Sequence, residues 1–165
     1  MRRILLAVAL GAATIAGCDG ASPPRAPEGV STERVRPETQ IQSFAGQTYD
    51  AFAAEPQFQR YSIAALSPGE ASRERFEHAM ANRAVGVLVS GGGSQALVFS
   101  GCAPSGCLEG LSVIAIDTQT GEVFAGVSDM AGQERLVENV RLEALLRLTS
   151  PSQTWDDPVR PALTP

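Results

Sequence analysis

The chain has 165 residues, a formal charge of −5, no lysine and one histidine, His78. The missing lysine excludes a Schiff-base lysine and a phosphate-loop lysine, and any histidine-based triad or metal site would have to pass through His78 alone. An acidic balance argues against nucleic acid and for a basic partner, so a binding protein without cofactor or catalytic centre is expected, not an enzyme.

The N-terminus has the order of an export signal. Arg2 and Arg3 precede an apolar run from Ile4 to Leu10, and small residues dominate Gly11 to Gly17. The run is short for a spanning helix. It ends in Ile15-Ala16-Gly17-Cys18, which looks like a lipobox, so residues 1–17 are expected to be removed and Cys18 to carry lipid. Each buried methylene of an acyl chain adds ~0.8 kcal/mol, and several chains anchor firmly. The expected location is the bacterial cell envelope, facing the periplasm, with Asp19 leaving the choice of inner or outer membrane open. Loss of Arg2 and Arg3 moves the formal charge to about −7. Residues 18–40, with Pro23, Pro24, Pro27 and Pro37, read as a flexible tether. Residues 41–150 are expected to form one domain and 151–165 a proline-rich tail.

Within the domain, Phe44, Tyr49 and Phe52 suit a short helix over 43–54, and Phe58, Tyr61, Ile63 and Leu66 an extended segment. Ser67-Pro68-Gly69-Glu70 matches a capping box that opens a helix running to about Asn82. Ala71, Phe76, Ala79 and Met80 form its apolar stripe, and Arg73, Glu74, Arg75 and Glu77 its wet face. The period then changes to that of strands. Four are expected: from Ala84 to about Val89, Ala96–Ser100, Leu111–Asp117 and Glu122–Val127, with turns at 90–94 and 118–121. Leu136, Val140, Leu142, Leu145, Leu146 and Leu148 suit a helix over about 136–148, and the tail with Trp155 reads as extended or loose. Clustered strands with short connections, flanked by helices, give an α+β fold with a central antiparallel sheet. The sequence leaves a homodimer open.

The remaining motifs divide by chemistry. Gly91-Gly92-Gly93 lacks the lysine of a phosphate cradle and suits a hairpin turn. His78 sits among charged helix residues, as a solvated side chain would, and Asp156-Asp157 lacks a third calcium ligand. With Cys18 assigned to lipid, Cys102 and Cys107 remain as an even pair in an oxidising compartment, expected to be bonded. Two sulfurs without histidine or further cysteine nearby are too few for a metal site. The ring Cys102-Ala103-Pro104-Ser105-Gly106-Cys107 serves either as a stiffened connection between strands or as a pre-organised loop for insertion into a partner's cleft.

That ring, with the strands before and after it, resembles the inhibitor of vertebrate lysozyme (Ivy) family, over roughly residues 65–150. The resemblance implies an antiparallel sheet with flanking helices and a Cys-x-Pro-x-x-Cys loop that plugs the cleft of a C-type lysozyme. It makes Ala103, Pro104, Ser105 and Gly106 the partner-binding loop and a basic lysozyme-like muramidase the expected partner. The family's lysine and histidine are replaced here by Ala103 and Ser105, and Gly106 stands where an acidic or amide residue is usual. The alternative is the same scaffold in another envelope binding task.

The N-terminal reading has a direct check. The mature protein is expected to partition with membranes into detergent, and Cys18→Ser to yield soluble or unprocessed protein. Mass spectrometry finding an unmodified Cys18, or cleavage elsewhere, would refute it.

Overall fold

The computed structural model describes residues 37–67 and 69–157. The export signal, Cys18 and residues 158–165 lie outside the described residues. Among those described, no helix is long and apolar enough to cross a membrane.

The fold is α+β, built on one six-stranded antiparallel sheet. Its strands are β1 (Asn82–Arg83), β2 (Val87–Gly91), β3 (Ser94–Ala103), β4 (Gly106–Asp117), β5 (Val123–Asp129) and β6 (Gly132–Val137). They run in the order β1-β3-β4-β5-β6, with β2 also pairing β3. One face is covered by α1 (Pro37–Gln42), α2 (Tyr49–Ala54), a 3₁₀ helix (Pro56–Tyr61), α3 (Ile63–Leu66) and α4 (Glu70–Ala79). The other is covered by α5 (Val140–Thr149) and Trp155. Side chains alternate across a strand, so β4 sends Ile114 and Ile116 into the first layer and Leu111, Val113 and Ala115 into the second.

The first layer is aromatic. Phe52 is fully buried, stacks on Phe58 at 4.6 Å between ring centroids and meets the Phe99 ring at 5.3 Å. Burying each such ring contributes roughly 1.5–3 kcal/mol. The second layer is aliphatic around Leu142, Leu145 and Leu146 of α5, whose N-cap Asn139 accepts the Leu142 amide at 3.0 Å. At the β4–β5 turn, buried Asp117 accepts the amides of Gln119 and Thr120, both at 2.8 Å, and pairs with Arg141 of α5 at 2.9 Å.

Several local expectations need correction. Residues 56–66 are helical, not extended: Phe58 and Tyr61, then Ile63 and Leu66, stand three apart, which puts each pair on one side of a helical turn. Helix α4 is capped by Gly69 without a side-chain bond, and the Ser67 hydroxyl is buried without a hydrogen-bond partner. Ala71 is exposed. Arg75 is not part of a wet face, since it clamps Asp129 of β5 at 2.7 Å and Glu134 of β6 at 2.5 Å. The expected strand from Ala84 starts only at Val87, as β2, and the short β1 (Asn82–Arg83) precedes it where the helix was expected to end, since α4 stops at Ala79. Leu136 lies in β6, and the helix begins only at Val140. The turn expected over 90–94 is the β2–β3 hairpin, which reverses at Gly92-Gly93 with Gly91 and Ser94 as its last pair.

The expected tether and tail also give way at their inner ends. Helix α1 starts at Pro37 and places Ile41 in the core. Trp155 is 1% exposed and meets Phe124 edge to face at 5.5 Å. A Cβ on Gly126 would come within 2.8 Å of the indole, so glycine there makes room for it. Removing a buried indole leaves a cavity, and Trp155→Ala is expected to cost about 3–5 kcal/mol. Chemical denaturation checks this; a loss below about 1 kcal/mol would mean that the segment after α5 is dispensable to the fold.

Candidate functional site

The Cys102–Cys107 ring is the tip of the β3–β4 hairpin. Ala103 pairs with Gly106, so the chain reverses through Pro104 and Ser105 alone. Proline presets the backbone for a turn, and Gly106 takes φ 125°, which a side chain would resist. The two cysteines face each other one position behind that pair, bonded, with Cα atoms 4.5 Å apart. The strands therefore run almost to the end of the ring, where the sequence reading placed a loop over 101–110.

The register then breaks. Cys102 pairs with Leu111 while Ala103 pairs with Gly106, so Cys107 to Gly110 have no counterparts on β3 and form an extended bulge. Leu108 on that bulge is 98% exposed and Glu109 is exposed. The disulfide packs on the α5 side, with Leu111. Asn82 of β1 donates to the Ala103 carbonyl at 3.1 Å and ties down the other flank.

The expected loop residues fare differently. Ala103 is fully buried against the α4 side, so its methyl is not presented to a partner. Pro104 and Ser105 are exposed, and Gly106 is half-buried. The Ser105 hydroxyl donates to the Glu109 carboxylate within the tip, which leaves an anion beside the position where the resembled family carries histidine. His78 is exposed on α4. Among the described residues, no three histidine, cysteine or acidic side chains are grouped to hold a metal ion.

Beside the tip lies an open cleft of about 580 Å³, lined by Ser105, Gly106, Cys107, Leu108 and Leu111 on one side and Thr154, Asp156 and Asp157 on the other. The acids of the expected tail thus meet the hairpin tip. Burial opposes a charge on Asp156, but bonds from Thr154, Ser128 and Gln133 outweigh it and hold its carboxyl below the ordinary range. Ser128 donates at 2.9 Å and Gln133 at 2.8 Å. The described residues thus give the cleft an anionic lining, with no arginine among them. Leu108 and the bulge carried no sequence signal beyond an apolar residue after a cysteine. The proximity of Asp156 and Asp157 depends on where Trp155 docks.

No protein-family model matches the chain, and neither the curated proteins nor the solved structures yield a match to it.

The ring is small and its strands are already paired, so the disulfide contributes about 2 kcal/mol by loop entropy. Reduction is expected to lower the melting temperature by no more than about 10 °C. Calorimetry with and without reductant checks this. Free thiols under non-reducing conditions would refute the bond, and global unfolding on mild reduction would show a larger structural role.

Proposed function

We propose that this chain is a membrane-anchored envelope lipoprotein of the lysozyme-inhibitor type, which acts by binding. It engages a basic, lysozyme-like muramidase through the disulfide-closed tip of the β3–β4 hairpin. The observation that carries this reading is the tip itself. A disulfide and a two-residue turn hold Pro104 and Ser105 exposed at the end of the sheet, so little conformational freedom is lost on docking. The lipid on Cys18 would keep that tip at the membrane surface.

The chemistry of the tip favours contact with a basic rim over a plug between catalytic acids. Muramidases of this type work with paired carboxylates, which a cationic histidine would meet with charge-assisted bonds. Ser105 is neutral and already hydrogen-bonded to Glu109. A carboxylate pressed between two others is repelled, and the absence of a charge-assisted bond costs a few kcal/mol of affinity. The same Ser105–Glu109 contact favours the second reading, a different basic envelope protein as the partner.

Titrating C-type lysozyme activity with the mature chain carrying Cys18→Ser tests the proposal. Weak inhibition is expected, in the micromolar range (about −8 kcal/mol), stronger at low salt and tightened about tenfold by Ser105→His. Salt-insensitive stoichiometric inhibition at nanomolar concentration would show that backbone groups of the tip suffice. No association at low salt would remove muramidase as the partner.

A further inference from the structure

The end of the sheet that carries the disulfide presents a second feature that the ring does not explain. Most large apolar side chains of the described residues are buried; besides Val140 and Leu148 of α5, the strongly exposed ones are Leu108 at 98% and Met130 at 87%. Both belong to the same end. Gly110 of β4 pairs with Asp129 of β5, so Leu108 on the bulge and Met130 on the β5–β6 turn lie just beyond the last pair of two adjacent strands. Neither is needed by the core, and an exposed apolar pair on adjacent turns is the kind of feature that marks a contact surface.

Their surroundings select the occupant. Glu109 follows Leu108, and Asp156 and Asp157 line the cleft that Leu108 also lines. Asp156 is held ionised by three hydrogen bonds. On the β5 and β6 side, Asp129 and Glu134 share the single guanidinium of Arg75, so that group keeps one net negative charge. A second copy of the chain docked tip to tip would bring like charges together, and a leaflet of anionic lipid would be repelled for the same reason. What fits is a protein surface with an apolar depression ringed by arginine or lysine.

We infer that Leu108 and Met130 are the apolar anchors of a docking surface for a basic partner, with Glu109, Asp156 and Asp157 as its charged rim. This rests on the reading that the hairpin tip is the contact element, and it deepens that reading by moving the anchoring contact from the Pro104–Ser105 turn to the bulge behind it. The disulfide then sets the angle at which the bulge leaves the sheet, and the Ser105–Glu109 bond holds the rim carboxylate beside Leu108. Anchors of this kind sit at the centre of an interface and the charges at its edge, so the apolar pair governs dissociation and the acids govern association rate and salt response.

The test uses two probes with the mature chain carrying Cys18→Ser: a synthetic Arg-Leu-Arg-Leu-Arg peptide and a C-type lysozyme. In amide NMR at low salt, the peptide is expected to shift resonances confined to residues 104–111, 129–132 and 154–157. The double variant Leu108→Ser, Met130→Ser is expected to weaken peptide and lysozyme binding at least tenfold. Leu148→Ser, which alters an exposed leucine on α5, should leave both within twofold. Peptide shifts elsewhere, no shifts at all, or binding of either probe unchanged by the double variant overturns the inference. Lysozyme binding that survives the double variant leaves the muramidase reading standing without it. Anchor-dependent peptide binding with no lysozyme binding upholds the surface and removes the muramidase.

Discussion

Strand β4 is buried without interruption from Gly110 to Asp117, and the rest of the molecule is arranged to keep it so. Its odd and even side chains enter opposite layers, one walled by the aromatic cluster around Phe52 and the other by α5 and Trp155. An antiparallel sheet often leaves one face wet; here both are covered, which is why β3 and β4 read as nearly continuous apolar runs. With both faces occupied, recognition is left to the edges and ends of the sheet. Edge strand β6 is held by ion pairs from Arg75 to Glu134 and from Glu143 to Arg135. The end carrying Pro104, Leu108 and Met130 holds the two most exposed large apolar side chains among the described residues.

The parts of the fold that came through from the sequence are those where burial and period agree. Leu97, Phe99, Ile114, Ile116 and Val127 announce buried strands, and short turn-rich connections between them announce antiparallel pairing. Strand β6 was not legible because Gly132-Gln133-Glu134-Arg135 carries no apolar alternation; its residues are stabilised by charges from α4 and α5, which no local window contains. The segment 56–66 was misread because four apolar residues at spacings of three and two suit more than one geometry until the Phe52 cluster selects helical turns. Trp155 followed a proline and lay among polar residues, so its burial depended on the space that Gly126 leaves on a distant strand.

The candidate site divides along the same line. Cysteine arithmetic identified the ring and its bond, because an even pair at short spacing has few other uses in an oxidising compartment. The sequence could not show that Ala103 turns inward, that Ser105 reaches Glu109, or that the strand register breaks to expose Leu108. Each is a consequence of pairing geometry. The register break also alters the chemistry of the tip: a position that the family resemblance would associate with a cation is flanked by carboxylates, so the surface is matched to positive charge. An anionic, apolar-tipped hairpin is suited to a basic partner and poorly suited to insertion between two catalytic acids.

The central claim is that this molecule works by docking the disulfide end of its sheet against a basic protein. Hydrogen–deuterium exchange of residues 18–165 carrying Cys18→Ser, alone and with saturating C-type lysozyme at low salt, tests it most directly. The account predicts slowed exchange concentrated at residues 103–110, 130–132 and 154–157, with α4, α5 and the β2–β3 turn unchanged. Protection centred on α5 or on the β2–β3 turn, with the hairpin tip unaffected, would contradict it.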